Sequence, residues 1–241
     1  VFTFALNLMR EHVRPTVRIH YVITEGGDVP NVVPDRASVW CWIRDSKHER
    51  VDELLARAEQ MARGAALATG TEAELSVQSG GYEMLPNFRG AELLHHNLEW
   101  LGPPDFTEEE QEFARRIQRE TGVPEVGLRE SIEPLELEPG EPEGGSTDVA
   151  DVSWNVPTIH LTVATAPDGA PWHAWPVVAA SGMSIGHRGM LYAARALAAT
   201  TVDLFEHPEV VAEIQVEFEQ AIGDDEYRSY IPDGPPPIPG D

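Results

Sequence analysis

Apolar residues recur along this chain in two rhythms, and the switches between them mark its elements. Over residues 1–13, Val1, Phe4 and Leu8 fall on one side of a helix. Arg14-Pro15 ends that helix, because a residue before proline is steered out of helical backbone. Val17 to Thr24 alternates, with Val17, Ile19, Tyr21 and Ile23 on one side, and predicts a strand. Glu25-Gly26-Gly27-Asp28 is a turn, and Ala37 to Arg44, rich in β-branched and aromatic residues, predicts a second strand. Asp45-Ser46 is placed to cap a helix from about Lys47 to Thr69. Its stripe is Val51, Leu54, Leu55, Ala58 and Met61, and Gly70 is its stop. Glu72 to Gln78 alternates again as a third strand. The order helix, strand, strand, helix, strand predicts a compact α+β sandwich over residues 1–85, without a first strand.

From Pro86 the rhythm turns helical. Residues 90–100 predict one helix, and Thr107-Glu108-Glu109-Glu110 opens another that runs to about Thr121. Residues 123–145 are rich in Pro, Glu and Gly, show little periodicity and predict an extended, mobile loop. Thr158 to Ala164 predicts a short buried strand, and Met183 to Phe205 a helix whose alanines 193, 194, 196 and 198 admit a close neighbour. His207-Pro208 interrupts it before an amphipathic helix over 209–221. Pro232 to Gly240 reads as irregular, and there are no internal repeats.

Composition narrows the class of function. The chain carries 41 acidic against 17 basic residues, a formal net charge of −24, and Lys47 is its one lysine. That field repels phosphate backbones, so nucleic acid is excluded as a partner. The acid excess reads either as a solvated surface or as adaptation to high salt. Cys41 is the single cysteine. With no disulfide framework the expected compartment is the cytoplasm. Set between Trp40 and Trp42 in a strand, Cys41 reads as core rather than nucleophile. No apolar run is long enough to span a membrane, and the N-terminus has no signal-peptide pattern. The chain opens inside a helix with no cap before it, which predicts a piece of something longer.

Candidate chemistry concentrates between Gly144 and Met190, where a small-residue turn, Asp148, Asp151 and three tryptophans share one stretch. His173 follows Gly169-Ala170-Pro171-Trp172 and precedes Ala174-Trp175-Pro176. A histidine in such a turn can ligate a metal through one ring nitrogen while the other is oriented by a carbonyl or carboxylate. Its plainer reading from chemistry alone is a histidine satisfied in the core. His95 and His96 diverge on their helix and read as surface, or as one buried and one exposed; His187 reads as a surface or capping residue, and His160 as a hydrogen-bonded core residue. Gly144-Gly145-Ser146-Thr147-Asp148 can form an anion-binding nest or a plain helix cap. Asp148 and Asp151 can orient a histidine or cap the same turn. Asn31, between Pro30 and Pro34, is either held with its amide facing outward or part of a simple connection.

These residues sit in longer segments with a family likeness. GGSTDVADVSWNVPTIH (144–160), GAPWHAW (169–175) and SIGHRGMLYAARALAATTVDLF (184–205) resemble the C-terminal part of M20-type amidohydrolases of the p-aminobenzoyl-glutamate hydrolase group. RIHYVITEGGDVPNVVPDRASVWCWIRD (18–45) resembles their lid, or dimerisation, domain. The resemblance implies two domains: a ferredoxin-like α+β lid over 1–85, and over 86–241 the C-terminal part of an α/β metallopeptidase domain. It implies hydrolysis of a small-molecule amide, such as an N-acyl amino acid, on a zinc or manganese centre. There the metal acidifies a water and polarises the carbonyl, and a glutamate shuttles the proton.

Residue by residue, the resemblance makes His173 the last metal ligand and Asn31 the lid amide that reaches a facing active site. Ser146, Thr147 and Asp148 line the pocket, and His20 has no assignable role. It also implies a homodimer through the lid. The family's other ligands and its general base lie upstream of its lid, and no residue here matches them. The chain is therefore expected to be the C-terminal half of such an enzyme and inactive alone. Two alternatives stand beside that expectation, a non-catalytic dimerisation or binding module derived from the family and one subunit of a split enzyme.

Overall fold

In the computed structural model, which describes residues 1–138, 145–231 and 233–234, the chain divides into two compact units. The first comprises Val1–Met84 with the described residues of 140–155 and 226–241; the second comprises 85–138 and Val156–Asp225. Helices and one small antiparallel sheet make the chain a mixed α and β protein.

The first unit opens with helix α1 (Phe2–Met9), which tightens into a 3₁₀ turn at Arg10–His12. Strands β1 (Arg18–Glu25) and β2 (Ser38–Arg44) pair antiparallel, with Ile19 opposite Ile43 and Tyr21 opposite Cys41. Those four residues face inward and, with Leu6 and Met9 of α1 and Leu54 and Ala58 of α2 (His48–Thr69), build the core. Successive strand side chains point to opposite faces. His20 opposite Trp42 and Val22 opposite Trp40 therefore form the outer face, where each tryptophan is 55% exposed.

Several expectations change here. The side of α1 that carries Val1, Phe4 and Leu8 is exposed, and Leu6 and Met9 are buried instead. Ile23 is also exposed, beside a register irregularity between Ile23 and Glu25. Residues 72–78 alternate but form no strand, because among the described residues β1 and β2 are the only paired strands and a strand needs a ladder partner. Residues 158–164 are likewise irregular and only partly buried, and His160 is exposed rather than core.

Asp45 does not cap α2. Its carboxylate accepts hydrogen bonds from the Thr16 hydroxyl (2.6 Å) and the Ser46 N–H (2.7 Å). The N-terminus of α2 is met by Glu83, which accepts the His48 N–H at 2.9 Å and pairs with Lys47 at 3.1 Å. A carboxylate there is favoured by the exposed N–H groups and the helix dipole.

In the second unit, α3 (Phe88–Leu101), α4 (Glu108–Thr121), α7 (Ser184–Glu206) and α8 (Pro208–Ile222) follow the helical rhythm. Asn87 caps α3 by accepting the Gly90 N–H, and its amide donates to Ile214 O of α8. Thr107 and Glu110 form a reciprocal capping box on α4. A short helix α6 (Trp175–Ser181), which the hydrophobic pattern did not separate from its surroundings, precedes α7. It packs so tightly that a Cβ on Gly186 would fall 1.9 Å from Ser181 O. Of the four α7 alanines expected at a close approach, only Ala196 is fully buried. The core here is Phe106, Ala114, Leu128, Ala180 and Ile185.

Candidate functional site

His173 sits in the turn from Gly169 to Ala174 that leads into α6. Its φ of 59° makes it the one described non-glycine residue in left-handed backbone. Histidine enters that region more readily than most residues, but the conformation still marks an imposed turn. Ala174 is extended and starts α6, and Pro176, buried, occupies the first turn, where a missing N–H costs nothing. The imidazole is exposed, flanked by Trp172 and Trp175 that are 72% and 56% exposed. No described carboxylate or carbonyl orients its ring. The reading of His173 as a buried, satisfied histidine is thus overturned.

The other sequence-selected residues belong to the first unit. Asn31 lies in an exposed turn between β1 and β2. Ser146, Thr147 and Asp148 are exposed and lead into α5 (Val149–Ser153). The Thr147 hydroxyl accepts the Val149 N–H at 3.3 Å, and Asp148 takes the cap position without a side-chain cap bond. Gly144 of the expected nest lies outside the described residues. Asp151, expected to orient a histidine or share the cap, instead accepts hydrogen bonds from the Tyr82 N–H and the Tyr227 hydroxyl.

An aromatic and carboxylate cluster that the sequence did not advertise surrounds those bonds. Tyr82 stacks on His48 with ring centres 4.0 Å apart, and Trp154 meets both rings edge-on at 5.0 and 5.1 Å. The Trp154 indole donates to Glu83 O at 2.8 Å, and His48 Nδ1 lies 3.1 Å from Glu83 Oε2. Burial pushes the Glu83 carboxyl up, but its own N–H, the His48 N–H and the Lys47 and His48 side chains hold it below the usual carboxylate range. Its only advance signal was Gly80-Gly81 before Tyr82, a pair small enough for close approach.

No family model matches the chain. It is 31% identical over 264 residues to one of the subunits of the p-aminobenzoyl-glutamate hydrolase of Escherichia coli (strain K12), a match that covers 99% of this chain and 55% of that protein. The chain is a relative of the M20 family peptidases. It is also 26% identical over 214 residues to the Xaa-Arg dipeptidase of Mus musculus and 26% identical over 230 residues to that of Homo sapiens. These matches cover 88% and 94% of this chain, and 43% and 45% of the two dipeptidases. This M20 relative spans about half the length of the curated proteins it matches.

The M20 likeness implies a divalent metal. Among the described residues, no three His, Cys, Asp or Glu side chains converge to hold one. His173 on its own does not compose a site, since stable zinc sites take three or four protein ligands. No helix among the described residues is long and apolar enough to cross a membrane. Burial pushes the Cys41 thiol up, away from the reactive thiolate, in keeping with its place against the first core.

Proposed function

We propose that this chain is the C-terminal portion of an amidohydrolase that cleaves an amide of an N-acyl amino acid or aminobenzoyl-glutamate-like substrate. Residues 1–85 act as the lid and dimerisation domain, and residues 86–241 as the end of the catalytic domain. His173 supplies one ligand to a zinc or manganese centre whose other ligands and general base come from outside the described residues. Asn31, Ser146, Thr147 and Asp148 contact the substrate. The cytoplasm, where its lone thiol stays reduced, is the compartment that suits it.

The observation that carries this reading is the match to a p-aminobenzoyl-glutamate hydrolase along 99% of the chain. The exposed, turn-held imidazole of His173 supports it locally. That match covers 55% of a single subunit of its enzyme, which supports reading this chain as a portion of such a subunit.

The test is complementation. The purified chain alone is expected to bind neither zinc nor manganese tightly and to leave p-aminobenzoyl-glutamate intact. Adding the upstream half of the E. coli relative is expected to restore both properties. His173→Ala then abolishes turnover with an unchanged melting temperature. Failure of complementation to restore either property favours a non-catalytic module derived from the family. Turnover by the chain alone that survives His173→Ala refutes both the fragment reading and the role of His173.

A further inference from the structure

Helix α5 is five residues long and has no side-chain bond from its cap residue Asp148, so only local bonds to Thr147 and Asp148 join it to the Ser146–Asp148 loop at its entrance. The fixing contacts come from elsewhere in the same unit. Asp151 Oδ1 accepts the Tyr82 N–H at 3.3 Å and the Tyr227 hydroxyl at 3.1 Å. The segment Glu226–Ile231 that brings Tyr227 is tied twice more. The Arg228 N–H donates to the Tyr82 hydroxyl at 3.1 Å, and the Tyr230 hydroxyl donates to Asp52 of α2 at 2.6 Å. The Tyr227 and Tyr230 rings lie 4.9 and 5.8 Å from the Tyr82 ring.

The backbone beneath these rings has no slack. A Cβ on Gly80 would fall 2.8 Å from Tyr230 Cβ and Cγ, and one on Gly81 would fall 2.8 Å from Asp151 Oδ2. Neither glycine has a positive φ, so the pair supplies room rather than backbone freedom. Two neighbouring glycines thus each accommodate a different partner in one arrangement, Tyr230 of the distant segment and Asp151 of α5.

We propose that Glu226–Ile231 is a strap that positions the Ser146–Asp148 loop, with Asp151 as the positioning residue it grips through Tyr227. That this loop meets substrate rests on the function proposed above; the grip itself does not. With the strap engaged, α5 is pinned at both ends of one turn, by Asp151 and by the Trp154 indole on Glu83 O. With Tyr227 released, Asp151 keeps only the longer bond from the Tyr82 N–H, and the loop before α5 gains freedom.

Hydrogen exchange on the full chain decides the matter. Tyr227→Phe removes one hydroxyl, and Gly80→Ala displaces Tyr230 without deleting any hydrogen-bonding group. Each is expected to speed exchange of the 147–153 amides by about tenfold, the scale of one lost charge-assisted hydrogen bond, with the sheet unchanged. Asp151→Asn keeps an acceptor for both donors and is expected to do less. If one variant unfolds throughout, the other still decides. Unchanged exchange at 147–153 in a folded variant overturns the strap. In the complemented enzyme, Tyr227→Phe is expected to raise KM for p-aminobenzoyl-glutamate and spare kcat; a fall in kcat at constant KM overturns the positioning role. A complemented enzyme with no activity speaks against the amidohydrolase reading, while the strap still stands or falls on exchange.

Discussion

Glu110 shows how much one carboxylate can carry in a chain this acidic. It is almost fully buried at the start of α4 and pairs with Arg188 at 3.0 Å. Burial pushes its carboxyl up, but the Ser184 hydroxyl, the Thr107 N–H and hydroxyl, and Arg188 outweigh that and hold it at about 2. The folded value lies below the ordinary 4.5, so the contribution to stability is complete above about 4.5 and is lost as pH falls toward 2. Glu110→Gln is therefore expected to lower the melting temperature at pH 7 and to flatten its decline between pH 4.5 and 2. An acid limb as steep as in the wild type would refute this. Thr107→Ala removes the other half of the capping box and is expected to destabilise by about 1 kcal/mol in urea titration.

At the level of elements, the outer face of the β1–β2 sheet stands out. His20, Val22, Trp40 and Trp42 present an apolar surface that no described residue covers well, with the two indoles edge to face at 6.0 Å. Uncovered apolar faces of sheets favour association. Light scattering is expected to give a dimer at micromolar concentration and a monomer for Trp40→Glu combined with Trp42→Glu. A wild-type monomer at low and high salt alike would refute it. Most helices were legible in the sequence because their stripes are one-sided. Helix α1 was legible as a helix but not in its facing: Phe-Thr-Phe-Ala-Leu-Asn-Leu-Met is apolar on more than one side, and packing chose Leu6 and Met9. The strand expected over 72–78 had the right alternation, but pairing is a property of two segments, and only one is visible in a local pattern. Gln118 was illegible for a related reason. It is completely buried because its amide donates to Gly127 O and Asp168 O and accepts the Gly127 N–H, partners 9 and 50 residues away.

For the molecule as a whole, the net charge of −24 sets the response to salt. Like charges repel more in a compact chain than in an unfolded one, and screening shortens to about 3 Å near 1 M. The melting temperature is expected to rise from low to molar sodium chloride, and a flat or falling curve would contradict this. Of the candidate site, His173 and the 146–148 loop could be singled out from their neighbours in sequence. The cluster around Tyr82 could not, since it draws on residues 48, 82–83, 151–154 and 227–230, and no single stretch of them is unusual.

That distribution also sets an order of events during synthesis. Residues as far as Met84 leave the ribosome well before Tyr227 and Tyr230 exist, a lag of roughly ten seconds or more at ordinary elongation rates. Through that interval Tyr82 has no ring to pack against from the late segment, and Gly80 lacks the Tyr230 ring that lies against it in the completed chain. The first unit is thus begun before the second and completed after it. A nascent chain arrested after α8 is expected to be cut by protease near Gly80 faster than the completed chain.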